Sequence, residues 1–195
     1  MIWLALLLLL PALPDAVDHY HRAHALFQQQ KFAEANEALD AALAADPDYV
    51  PALTLKGKLA MGFNRFDVAR VAFTRAARLA PESAYVQFLL GFFYYVDNDF
   101  VKAAPALERA MKLDRWDPRA ALYLAMSHEG LARPELAIPL YEQTIELEKR
   151  SGRPSPDTHT AYGRLLFTLG RYPEAVETAQ QMVDMYADWV RQYPI

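Results

Sequence analysis

The chain has 195 residues, 53% of them hydrophobic and 23% charged, which is enough apolar material for a sizeable core in a folded protein. Its net charge of −4 excludes a global positive field for a phosphate backbone, and no basic stripe speaks for nucleic acid. Cysteine is absent, so disulfides, thiolate metal sites and a cysteine nucleophile are excluded.

Ile2 to Leu10 reads IWLALLLLL and is followed by Pro11 and Pro14. That run is short for a membrane-spanning helix and fits the hydrophobic core of a signal peptide over residues 1–16, with export to the periplasm or outside the cell. The alternative is a membrane anchor formed by the uncleaved N-terminus. From Ala16 onward the apolar positions follow a helical period and no segment alternates as a strand does. Helices are predicted near 16–29, 32–45, 50–63, 66–79, 84–97, 100–114, 118–131, 134–149, 157–169 and 172–191. Pro51, Pro118, Pro134 and Pro173 suit first turns, where a missing N–H costs little, and Gly130 and Gly170 are expected as left-handed caps. Lys149 to Pro156, KRSGRPSP, reads as a loop.

Ala35, Ala69, Ala103 and Ala137 are spaced by 34 residues, a period that marks stacked repeats. An aromatic opens the second helix of four of the hairpins: Phe32, Phe66, Phe100 and Tyr172. Ala23, Gly57, Gly91, Ala125 and Gly163 stand at one position of the first helix, where a small side chain lets paired helices approach. This pattern resembles the tetratricopeptide repeat. The resemblance implies an all-α, right-handed superhelix (an α-solenoid) over 17–195. Its five hairpin repeats fall near 16–49, 50–83, 84–117, 118–149 and 156–191.

The resemblance also implies a non-enzymatic scaffold whose first helices line a concave groove for a protein or peptide partner. Mapped onto this chain, the lining includes Tyr20, Phe27, Lys58, Met61, Tyr85, Phe88, Phe92, Tyr95, Leu122, Met126 and Arg164. Tyr85, Phe88, Phe92 and Tyr95 form a second apolar stripe on the third first-helix, one face of it at helical spacing. They point to a groove for an apolar or aromatic peptide segment, centred on Phe88 and Phe92. The same stripe would serve equally well as packing between helices. Family members that grip a C-terminal carboxylate use Lys, Asn and Arg. The corresponding positions here are Tyr20, His24, Leu55, Tyr85 and Leu89, which supply no such group.

No phosphate loop, zinc-protease motif or nucleophile elbow is present, so neither a cofactor nor a small-molecule substrate is expected. His19, His21 and His24 offer an alternative reading as a copper, nickel or zinc site. The last helix carries Val183, Tyr186, Trp189, Val190 and Tyr193, and no further helix is expected to cover it. It either folds back, meets a partner or its own copy, or continues into a longer parent, which leaves open an accessory role in a larger enzyme or assembly.

Overall fold

A computed structural model describes residues 15–152 and 155–192. The stretch read as a signal peptide lies outside the described residues, apart from its last two positions. Among the described residues there are ten helices and no strand, which is the all-α, helical-hairpin repeat class expected from the sequence. The chain divides into two compact units at Leu79/Ala80.

The first unit holds α1 (Ala16–Gln28), α2 (Phe32–Ala45), α3 (Val50–Gly62) and α4 (Phe66–Leu79). Successive helices pack on one another, and α1 also touches α3. Ala23, Leu39, Ala42, Leu55 and Leu59 form a core against which Tyr20, Phe27 and Phe32 rest. The second unit holds α5 (Ala84–Val96), α6 (Phe100–Leu113), α7 (Pro118–Gly130), α8 (Pro134–Ser151), α9 (Pro156–Thr168) and α10 (Tyr172–Gln192). In it the first helices α5, α7 and α9 also touch in sequence, α5 on α7 and α7 on α9. One of its cores gathers Leu122, Tyr141, Tyr162, Leu165 and Leu166.

Small residues permit this packing. A Cβ on Gly57 would lie 2.7 Å from the Phe73 ring, and one on Gly91 2.6 Å from Leu107 Cγ. Ala35, Ala69, Ala103 and Ala137 are all fully buried. Helix starts are capped by side chains where the sequence supplies one. Asp15 accepts the amides of Val17 and Asp18, Asp117 that of Arg119, and Ser155 that of Asp157.

Each hairpin turns in the same way. The amides of Lys31, Arg65, Asp99, Arg133 and Arg171 reach back to the carbonyls of Leu26, Ala60, Tyr94, His128 and Leu166 at 2.8–2.9 Å. This is the Schellman closure, and it needs a left-handed residue just before the donor. Those residues are Gln30, Asn64, Asn98, Ala132 and Gly170. Gly130 is therefore not the expected left-handed cap. It ends α7 in helical geometry, and its missing Cβ makes room for the Phe100 ring, which such an atom would meet at 2.5 Å. Ala132 carries the strain instead, at φ 55. Ala132→Gly is expected to stabilise the fold by about 0.5–1 kcal/mol, read as a higher midpoint in urea.

The stretch read as a loop also differs. Lys149, Arg150 and Ser151 extend α8, and Gly152 ends it at φ 64. Pro105 and Pro139 lie inside α6 and α8, on exposed positions.

Candidate cleft on the first helices of the second unit

The α5 sequence AYVQFLLGFFYYV starts at Ser83, whose side chain accepts the Val86 amide, and has no breaker before Gly91. Gly91 faces Leu107 of α6. Phe92 and Tyr95 lie on the side toward α7. The Phe92 ring meets Tyr123 of α7 edge-on at 4.6 Å, and Tyr95 meets it at 5.1 Å. These rings, with Leu122 and Met126 of α7 and Thr160 and Arg164 of α9, border a cleft of about 390 Å³.

Tyr123 is the residue that sequence reasoning missed. The repeat alignment picked out Leu122, but Leu122 is 9% exposed and belongs to the core beside Ala125 and Tyr141. Arg119, Tyr123 and Met126 follow a helical spacing that carries the exposed face one residue further round. Phe88 does not stand at the centre of the cleft. It is 6% exposed, stacks on Phe92 at 5.9 Å, and is covered by the Arg119 guanidinium at 4.8 Å. Tyr85 is exposed at the start of α5 and does not border the cleft.

One polar chain fixes the cleft's far wall. Tyr141 of α8, fully buried, donates its hydroxyl to Glu129 Oε2 at 2.7 Å. Arg164 of α9 donates to Glu129 Oε1 at 2.9 Å. Glu129 is thereby held at both oxygens. Its exposed pair with Arg164 orients more than it stabilises. Burial raises the Tyr95 phenol, and neighbouring Tyr123 and Glu129 raise it further, so the cleft presents neutral hydroxyls at pH 7.

In the first unit, Tyr20 packs edge-on against Tyr49 at 5.6 Å. The Lys58 ammonium lies 5.8 Å from the Phe27 ring centre, so these two predicted lining residues meet each other. Met61 is half-buried. His21 and His24 lie beside the Tyr20 ring at 5.7 and 6.0 Å. Among the described residues no group of three or more His, Cys, Asp or Glu side chains is placed to hold a metal. On α10, Tyr172, Val176, Val183 and Val190 leave an exposed apolar stripe with the last three seven residues apart.

The buried rings set a pH profile. Burial holds His128 and His159 below the usual imidazole value. Unfolding lets them take up protons, so stability is full above about pH 6.5 and falls below it. Burial, and then the bond to Glu142, push Tyr162 up to about 12, and burial and Glu129 raise Tyr141 likewise. The unfolded chain releases those protons first, so stability falls again above about pH 10. Urea midpoints measured from pH 5 to 11 are expected to give a plateau bounded by these two edges.

Comparison with known proteins agrees with this architecture. Two sequence models described as tetratricopeptide repeat match residues 26–91 and 122–188, together about two thirds of the chain. A TPR repeat-containing protein of Treponema pallidum (strain Nichols) is 26% identical over an aligned length of 163 residues, with 75% of this chain covered. The chain spans about a fifth of that relative's length, 20%. A crystal structure of MamA superposes with a TM-score of 0.77 at 22% identity, covering 87% of this chain and 96% of that one. MamA residues 41 to the end from Desulfovibrio magneticus RS-1 gives 0.80 at 16% identity, covering 89% of this chain and 96% of that one. At these identities the likeness is one of fold.

Proposed function

Because the chain belongs to the tetratricopeptide repeat family, we propose that it is a non-enzymatic protein–protein interaction scaffold. In this reading the cleft between α5, α7 and α9 takes a large apolar or aromatic side chain of an extended peptide. The observation that supports it is the set of three half-buried rings, Phe92, Tyr95 and Tyr123, around an open space of about 390 Å³. Rings that are part-covered and part-open offer apolar area at low entropic cost, while Thr160 and Arg164 supply polar groups to fix the peptide's direction.

Selection of a displayed random-peptide library against the protein tests this. Enriched peptides are expected to share a large apolar or aromatic residue. Tyr123→Ala is expected to weaken them about tenfold or more while helicity and melting stay close to wild type. Equal binding by the variant would contradict the reading.

We further propose a place in the cell envelope or outside the cell, supported by the leader-like residues 2–14. Mass spectrometry of the N-terminus in the envelope fraction tests it, and intact cytosolic protein would contradict it. The exposed stripe of α10 supports self-association through that helix, since seven-residue apolar spacing suits helix pairing. Val176 stands at the register of Ala104 in α6 and Ile138 in α8, which are buried and half-buried whereas Val176 is 70% exposed. Val176→Glu with Val183→Glu is expected to abolish any dimer seen by sedimentation. A strict monomer in the wild type at high concentration would contradict self-association.

A further inference from the structure

Two helices overrun the repeat frame. Glu148 stands at the register where Asp114 ends α6, but α8 runs on to Ser151, and α10 runs on to Gln192. Between these extra turns and the start of α9 lies a second cleft, of about 620 Å³, sharing no lining residue with the first.

Two of its polar groups are almost wholly buried, Glu148 at 4% exposure and His159 at 3%. Glu148 is engaged by the protein, accepting the Thr158 hydroxyl at 2.7 Å and the Ser155 amide at 3.4 Å. His159 is only half engaged. Its Nδ1 lies 3.4 Å from the Ser155 carbonyl, which can only accept, so the proton sits on Nδ1. Nε2 is then an acceptor in the ring that lines the cleft, and it has no hydrogen-bond partner among the described residues. Burial keeps this ring below the usual imidazole value and therefore neutral at pH 7.

The rim is acidic. Asp184 and Asp188 of α10 join Glu146 of α8, with Lys149 the one cation among the described lining residues. Glu146 pairs with Arg150 at 2.8 Å and Asp188 with Arg191 at 3.0 Å, both exposed pairs that hold their carboxylates weakly, and Asp184 accepts from the Gln180 amide. Met185 and Trp189 supply apolar surface between the charges. A metal ion does not suit these groups, because no three such side chains come together among the described residues. An extended cation does, since its charge can be shared between separated carboxylates and its methylenes can lie along Met185 and Trp189.

We propose that this cleft binds an organic cation, an alkylguanidinium or alkylammonium group. Its N–H donates to His159 Nε2, and its charge is met by Asp184 and Asp188. The cation is either the side chain of a partner's Arg or Lys, or a free polyamine. This site is independent of the aromatic cleft, and neither proposal rests on the other.

Titration calorimetry on the whole chain at pH 7.5 and low salt tests it, with three probes: agmatine, putrescine, and an acetylated, amidated Gly-Arg-Gly peptide. Saturable one-to-one binding of at least one probe is expected, with a shift of the His159 imidazole nitrogen signals on addition. Binding of the peptide alone assigns the source to a partner chain, and binding of the free amines assigns it to polyamines. Asp184→Asn with Asp188→Asn, both exposed and safe for folding, is expected to weaken binding about tenfold or more. No saturable heat from any probe, or heat unchanged in the double variant, would overturn the proposal.

Discussion

Tyr141→Ala is expected to cost the second unit about 3–5 kcal/mol, a large share of the net stability of a typical domain. Tyr141 is the largest fully buried side chain of the described residues, and its ring stacks on Tyr162 at 5.6 Å. Truncation leaves a cavity at the joint of α7, α8 and α9, and removes the donor that holds Glu129. Tyr141→Phe separates the two effects. It keeps the ring and removes only the hydroxyl bonded to a carboxylate, an expected loss of about 1.5–3 kcal/mol. Glu129 then has Arg164 alone, so the wall of the aromatic cleft loosens without a loss of helix. Urea unfolding of the pair checks the ordering. Equal losses in the two variants would mean that the ring itself contributes little.

Gly91→Leu is expected to cost at least about 3 kcal/mol, the upper end of overpacking. Even a Cβ there would sit 2.6 Å from Leu107 Cγ and 3.0 Å from the Leu107 backbone nitrogen, and backbone cannot step aside cheaply. Phe92 is the next residue, so the same displacement would carry its ring away from Tyr123. Gly163 is the control at the equivalent position of α9. The nearest atom to a Cβ there is the Ala175 carbonyl oxygen at 3.9 Å. Gly163→Ala is therefore expected to gain up to about 1 kcal/mol from helix propensity alone. Thermal melts of Gly91→Leu and Gly163→Ala should move in opposite directions.

These contrasts mark where the sequence could be read and where it could not. Helix limits were readable to within about two residues, because Pro, Asp and Gly punctuate a strict period. The small residues of the hairpins were readable for the same reason. Gly130 misled because a glycine near a helix end signals a turn, whereas here it clears space for Phe100. The turn's strain passed to Ala132, which carries no sequence signal for a left-handed conformation. Lys149 to Ser151 misled because their charge and the prolines beyond them suggested a loop. Glu148, buried and bonded across to α9, anchors the extra turn. In the aromatic cleft the stripe on α5 was visible, but the partner ring was not. A repeat alignment fixes spacing along a helix, not its rotation, and one residue of rotation moves the face from Leu122 to Tyr123.

The proposed entry of a partner segment between α5, α7 and α9 is tested most directly by crosslinking. A photo-crosslinking benzophenone residue in place of Met126, at the cleft, is compared with one in place of Val101, on the exposed side of α6. Both variants are irradiated in cells. A discrete crosslinked partner is expected from position 126 that disappears when Tyr123→Ala is added, and none from position 101. Equal crosslinking from both positions, or a product at 126 that survives Tyr123→Ala, would contradict it.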